Sequence, residues 1–221
     1  MRIAFDVNGV LRDTFLKSEQ IYQKFYIDEF DREKTSSFNE ETEEFEEDKI
    51  DDEEFEYSLN LPVTSLDNLE QHFRFPNKED LFNFFYIDFP MQIFGHAPSI
   101  SANTFNVLNE IYEELRDEHD IIIVSDEMQK SKPATLFFLS KYGVLIEKIL
   151  FFSKVTQKTV WKEFDILVTA NPDLIKSKRK NKIIVKYQTT YNENLEADYT
   201  IEKLEDLVGL YEELKLKKND D

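Results

Sequence analysis

The stretch MRIAFDVNGVLRDT, residues 1–14, decides the fold of this 221-residue chain. An apolar run from Ile3 to Phe5 leads directly into Asp6, and Gly9 follows three residues later. The run predicts a buried strand, and glycine permits a tight turn that a residue with a Cβ atom resists. This turn should place the Asp6 carboxylate just past the C-terminal end of the strand, where open α/β sheets bind their ligands.

Helical and strand patterns alternate from Ser99 to the end of the chain. We predict strands over residues 120–125, 148–152, 165–168 and 182–187, and helices over residues 103–118, 134–142 and 201–216. Strands separated by helices imply a parallel sheet with right-handed crossovers. The fold class is therefore α/β, a Rossmann-like parallel sheet with helices on both faces.

The segment between the first strand and Ser99 has a different composition. It begins with a helical pattern over residues 15–30, continues with the acidic run of residues 39–57 and contains an aromatic cluster at residues 81–86. We interpret the acidic run as a surface helix or loop with a few apolar anchors, which makes it a candidate contact for a protein partner. We predict a core domain of residues 1–12 and 99–221, with a mostly helical, acidic, aromatic-rich cap of residues 13–98 inserted after the first strand.

The composition excludes several functional classes. The net charge of −19 argues against general nucleic-acid binding, because a phosphate backbone is repelled by most of such a surface. The chain has no cysteine, which suits a reducing, cytoplasmic location. No uninterrupted apolar stretch reaches the roughly 18 residues that a transmembrane helix needs, so we expect no membrane association.

The opening strand and turn resemble the first motif of the haloacid dehalogenase-like phosphatases, which is an apolar strand followed by Asp, any residue, Asp, Gly, Thr or Val, and Leu. In that family the first Asp attacks phosphorus and binds Mg²⁺, and the second is the general acid and base. The resemblance makes Asp6 the nucleophile and Gly9 part of the phosphate-binding turn. Asn8 occupies the second position, where only its backbone carbonyl is a candidate metal ligand.

Two later stretches resemble the second and third motifs of this family. The strand IIIVS ends at Ser125, the position of a hydroxyl that hydrogen-bonds the phosphate. The third motif is a lysine that neutralises the phosphate, and the candidates are Lys154 and Lys158. Residues 158–168, KTVWKEFDILV, resemble the 5'(3')-deoxyribonucleotidase branch, in which a Lys-Thr-Val run precedes an Asp-apolar-Leu-apolar stretch. We therefore prefer Lys158 as the catalytic and phosphate-binding lysine.

The fourth motif departs from the family pattern. Two acidic residues normally complete the magnesium shell there, but this chain has Thr169 and Ala170. Mg²⁺ prefers near-octahedral oxygen coordination with one or two carboxylates. The resemblance thus implies a Mg²⁺ site that is weak or lost, with Asp126, Glu127 or Asp173 as substitute ligands.

Two functional hypotheses follow. The first is a slow, Mg²⁺-dependent phosphomonoesterase acting on a small phosphorylated metabolite or nucleotide, which the retained Asp6, Ser125 and Lys158 favour. The second is a catalytically inactive binding or structural protein, a component of an assembly for example, which Asn8, Thr169 and Ala170 favour. The residue usage also resembles phage-encoded members of this branch, which implies the host cytoplasm or the virion. In either case Asp6, Ser125, Lys158 and Thr169 should converge at the C-terminal edge of one parallel sheet.

Overall fold

A single six-stranded parallel sheet organises the chain. The computed structural model describes residues 1–27, 72–153 and 155–211. The strands are β1 (Arg2–Asp6), β2 (Asp120–Asp126), β3 (Ile149–Phe152), β4 (Ile166–Thr169), β5 (Ile183–Tyr187) and β6 (Tyr199–Ile201). Their order is β3-β2-β1-β4-β5-β6, and every neighbouring pair is parallel. The strand that carries Asp6 is therefore inside the sheet, between β2 and β4.

Helices connect the strands. They are α1 (Thr14–Tyr22), α2 (Lys78–Asn83), α3 (Thr104–Leu115), α4 (Ser131–Lys141), α5 (Gln157–Val160) and α6 (Pro172–Lys176). Wider π-helical turns follow at Gln23–Ile27, Phe84–Asp88 and Met91–Gly95. The Asp13 carboxylate begins α1 by accepting the backbone N–H of Leu16, as an N-cap residue does.

Side chains of β1 point alternately to the two faces of the sheet, as the period of a strand requires. Ile3 and Phe5 belong to one buried cluster, together with Leu108 of α3. Ala4 belongs to a second cluster, with Trp161 after α5. Because each face of the sheet is covered by helices, the predicted α/β fold is confirmed.

The described parts of the inserted segment are mostly helical. An aromatic cluster that includes Tyr22, Phe73, Phe84 and Phe85 forms their core and packs against Ala134 of α4. The predicted aromatic run therefore supplies packing, since Phe84 and Phe85 are buried. The acidic run of residues 39–57 lies outside the described residues, and the domain boundaries stay a prediction.

The C-terminal region differs from the sequence-based prediction. Ile201 was expected to begin a closing helix, but it ends strand β6, and the helical conformation begins at residue 206. Tyr199, Thr200 and Ile201 are aromatic and β-branched residues, which suit a strand better than a helix. Helix α4 also begins three residues earlier than predicted, at Ser131. Within the described ranges, no helix is long and apolar enough to cross a membrane.

Candidate active site

Three of the predicted site residues meet at the C-terminal edge of the sheet. Asp6 ends β1, Ser125 lies one residue before the end of β2, and Thr169 ends β4. All three are buried. The Thr169 hydroxyl donates a hydrogen bond to Oδ2 of Asp6 at 2.7 Å. The parallel topology thus gathers residues from distant parts of the sequence around one carboxylate.

The Asp6 carboxylate lies in an unusual environment. It is 1% exposed, and its Oδ1 atom has no hydrogen-bond partner. Burial, reinforced by the negative charge of Asp126, raises the pKa of Asp6 to about 7, whereas the hydrogen bonds from Thr169 and from the Asn8 backbone and the positive charge of Arg12 act in the opposite direction. Near neutral pH the carboxyl group therefore exists in both protonation states.

Hydrogen bonds on both sides fix the side-chain amide of Asn8. Its Oδ1 atom accepts from Nη2 of Arg12 at 2.7 Å and from the hydroxyl of Thr14 at 2.6 Å. Its Nδ2 atom donates to Oγ of Ser125 at 3.4 Å. An amide does not exchange protons with a substrate near neutral pH, and this one is also held in place by its neighbours.

Arg12 is the main feature of the site that sequence reasoning missed. It is fully buried, and its guanidinium lies 5.0 and 5.2 Å from the ring centres of Phe94 and Phe138. Its Nη2 atom forms an ion pair with the buried Oε1 of Glu127 at 2.5 Å. Oε1 of Glu127 also accepts from Ser125 and Thr135. No local pattern in the sequence indicates this pair, because 115 residues separate its members.

The turn at Gly9 packs tightly against two other segments. Gly9 has φ of +79°, a conformation that favours glycine. A Cβ atom added there would lie 2.3 Å from the Tyr191 hydroxyl and 2.8 Å from Cβ of Ala170. Tyr191 and Ala170 therefore occupy the space beside the turn, which makes Tyr191 a further residue of the site. Burial raises the pKa of the Tyr191 hydroxyl, and the nearby negative charges of Asp6 and Asp13 act in the same direction.

The remaining predicted site residues lie on neighbouring elements. Lys158 is exposed on the short helix α5 and makes no hydrogen bond or ion pair with Asp6. Lys154 lies outside the described residues. Asp126 ends β2 and acts on Asp6 through its charge. Asp173 is half-buried in the first turn of α6.

The residues around Asp6 fit a magnesium ion poorly. In the three ranges that the structure describes, no group of three or more His, Cys, Asp or Glu side chains is arranged to hold a metal ion. Asp6 offers one unpaired oxygen, because its other oxygen accepts from Thr169. The Arg12 guanidinium already supplies a positive charge beside it. A Mg²⁺ ion would need several further oxygen ligands and more negative charge.

Comparisons with known proteins support the fold. No family model and no curated protein matches the sequence. A haloacid dehalogenase-like hydrolase from Burkholderia xenovorans LB400 is similar, with a TM-score of 0.52 and 16% identity over 96% of each chain. A dehalogenase whose structure was determined with an intermediate complex has a TM-score of 0.53 and 12% identity, over 95% of this chain and 96% of that one. L-2-haloacid dehalogenase from Xanthobacter autotrophicus, with chloropropionic acid covalently bound, has a TM-score of 0.51 and 12% identity, over 96% of this chain and 98% of that one. The chain therefore has the fold of the haloacid dehalogenase-like hydrolases.

Proposed function

We propose that this chain is a catalytically inactive haloacid dehalogenase-like protein with a binding or structural role. The observation that carries the proposal is the fixed amide of Asn8, which occupies the position of the general acid and base in the family that the first motif resembles. Its oxygen accepts from Arg12 and Thr14, and its nitrogen donates to Ser125. Loss of a general acid or base typically slows a reaction by about 10²–10⁴-fold.

The charge around Asp6 supports the same proposal. Thr169 and Ala170 are neutral and buried, and they stand where the resemblance expects two carboxylates. Phosphoryl transfer to Asp6 requires positive charge that screens the phosphate and orients it for attack. Arg12 is the nearby cation, but its donors are directed at the protein rather than at a ligand. Lys158, the other predicted cation, is exposed on α5 and makes no hydrogen bond or ion pair with Asp6.

A slow phosphomonoesterase acting on nucleotide-like substrates is the second candidate. It is favoured by the free Oδ1 atom of Asp6, which leaves one carboxylate oxygen unpaired at the end of β1. Ser125, the phosphate ligand that the resemblance implies, lies near the end of the neighbouring strand β2. If the chain is an inactive binding protein, the acidic run of residues 39–57 is the proposed contact for a protein partner.

The decisive experiment compares the wild-type protein with Asp6→Asn on three substrate groups. These are p-nitrophenyl phosphate, a panel of nucleoside monophosphates, and chloropropionic acid, chosen because it is bound in the Xanthobacter enzyme. Each is assayed with Mg²⁺ and with EDTA. We expect no turnover above that of Asp6→Asn. Phosphate release that requires both Asp6 and Mg²⁺ would establish the slow phosphatase, and chloride release that EDTA does not affect would indicate dehalogenase chemistry.

A further inference from the structure

The Arg12 guanidinium fills a cage of oxygen atoms. An arginine carries five N–H groups, and here every one of them has an oxygen acceptor. The acceptors and distances are Thr14 Oγ1 at 3.0 Å, Phe94 O at 2.8 Å, Thr135 Oγ1 at 2.7 Å, Asn8 Oδ1 at 2.7 Å and Glu127 Oε1 at 2.5 Å. The cage thus contains one carboxylate, one amide, one backbone carbonyl and two hydroxyls, a ligand set composed wholly of oxygen.

The five acceptors come from four separate parts of the fold. Asn8 and Thr14 belong to the turn after β1 and the start of α1, Glu127 follows β2, and Thr135 lies on α4. Phe94 lies in the inserted segment and contributes its backbone carbonyl. Arg12 therefore connects the turn after Asp6 to the neighbouring strand end, to a core helix and to the cap segment.

We propose that Arg12 is the resident cation of this site and takes the place of a divalent metal. It balances the buried charge of Glu127, acts electrostatically on Asp6 and holds Asn8 in position, so the site is ordered without Mg²⁺. The inference deepens the proposed function and rests on it in one respect: the site is treated as one that carries out no Mg²⁺-dependent catalysis. Arg12 is a positioning residue, because all its donors bind protein atoms.

The positive charge of Arg12 both neutralises Glu127 and opposes the binding of a divalent metal ion. A buried carboxylate such as that of Glu127, which is 1% exposed, is costly unless a positive charge faces it. A divalent ion placed near Arg12 would be repelled in this low-dielectric environment. Removing the guanidinium should instead leave an oxygen-lined space and an uncompensated anion, which a small external cation of matching shape can occupy.

The test uses thermal unfolding together with Mn²⁺ titration followed by electron paramagnetic resonance. The proteins are the wild type, Asp6→Asn, Arg12→Ala, and Arg12→Ala combined with Glu127→Gln. Arg116→Ala is the matched control, because Arg116 is an exposed arginine paired with exposed Glu113. The added cation is millimolar ethylguanidinium, compared with the same concentration of sodium chloride.

We expect Mn²⁺ to leave the unfolding midpoint of the wild type unchanged and to bind it no better than it binds Asp6→Asn. The Arg12→Ala midpoint should fall by several degrees, and ethylguanidinium should restore part of the loss whereas sodium chloride should not. The double variant should be more stable than Arg12→Ala and indifferent to ethylguanidinium, because its buried anion is gone. Arg116→Ala should behave as the wild type.

Three results would overturn the proposal. The first is Mn²⁺ binding to the wild type that Asp6→Asn abolishes. The second is a folded Arg12→Ala protein with an unchanged midpoint or no specific response to ethylguanidinium. The third applies if Arg12→Ala does not fold. Its refolding yield is then measured with and without ethylguanidinium, and equal yields would overturn the proposal. Mn²⁺ binding without turnover would refute only the role of Arg12, and metal-free turnover would refute only the proposed inactivity.

Discussion

Replacing Asp6 with asparagine should change how the stability of the fold depends on pH. Burial raises the pKa of Asp6 from an ordinary value of 3.8 to about 7, so the folded protein binds this proton more tightly than the unfolded chain does. Stability contributed by the bound proton is complete below the unfolded pKa and is lost as the pH rises through the folded pKa. Asparagine does not titrate, so the variant lacks this dependence.

The size of the effect follows from the two pKa values. The difference between 3.8 and about 7 corresponds to ~4 kcal/mol, of which roughly 3 kcal/mol is lost between about pH 5 and about pH 8. The amide nitrogen of the variant would take the place of the unpaired Oδ1 atom, and a buried donor without a partner costs about 1–3 kcal/mol. This cost is the same at every pH, so it does not alter the change in stability between about pH 5 and about pH 8.

The measurement is urea unfolding of wild type and Asp6→Asn from about pH 5 to about pH 8. The wild type should lose roughly 3 kcal/mol more than the variant over this range. Glu19, whose pKa burial also raises to about 7, is present in both proteins and cancels in the comparison. If the free energy of unfolding depends on pH in the same way for both proteins, the raised pKa of Asp6 is refuted.

Asp165→Asn is the matched control for this measurement. Although burial opposes it, hydrogen bonds from the Arg2 backbone and from Lys182 lower the pKa of Asp165. Its contribution to stability is therefore lost only as the pH falls below its ordinary value of 3.8. Above about pH 5, the free energy of unfolding of Asp165→Asn should change with pH in the same way as that of the wild type.

Three further substitutions test the neighbouring contacts. Thr169→Val removes the hydroxyl that donates to Asp6, so the pKa of Asp6 should rise above about 7, and the loss of stability with pH should shift to higher pH in the same urea experiment. Gly9→Ala should cost roughly 2–4 kcal/mol because of the positive φ and the contact with the Tyr191 hydroxyl, and Tyr191→Phe in the same chain should recover part of this loss in thermal unfolding. Lys158→Ala should change the free energy of unfolding by less than about 0.5 kcal/mol, because the side chain is exposed, and a larger loss would reveal a contact that the structure lacks.

Much of the fold could be predicted because its patterns are local. The apolar runs that became β2 and β4 are continuous in the sequence, and their burial on both sides explains that continuity. The short edge strand β6 was missed because Tyr199–Ile201 spans only 3 residues, next to a stretch with helical periodicity. A three-residue edge strand is defined by its partner β5 rather than by its own sequence.

The site could be predicted only for residues that lie at or near the ends of strands. Asp6, Ser125 and Thr169 met because parallel topology brings strand ends to one edge of a sheet. Lys158 lies on a short helix after β3, and its role as the phosphate-binding lysine stays a prediction. The ion pair between Arg12 and Glu127 was not predicted, because it depends on the packing of β1 against β2 and on no spacing along the chain.

The departures from the family pattern form one consistent set when Arg12 is included. Asn8, Thr169 and Ala170 are neutral where the resemblance expects carboxylates, and Arg12 adds a buried positive charge at the same edge of the sheet. A carboxylate introduced at position 8 would lie against Nη2 of Arg12, where the amide oxygen now lies 2.7 Å away. Such an ion pair lowers the pKa of the acid and holds it ionised, and an ionised acid does not protonate a leaving group near neutral pH. Returning the missing carboxylates would therefore not be enough to create a phosphatase site, because Arg12 would keep the new acid at position 8 ionised.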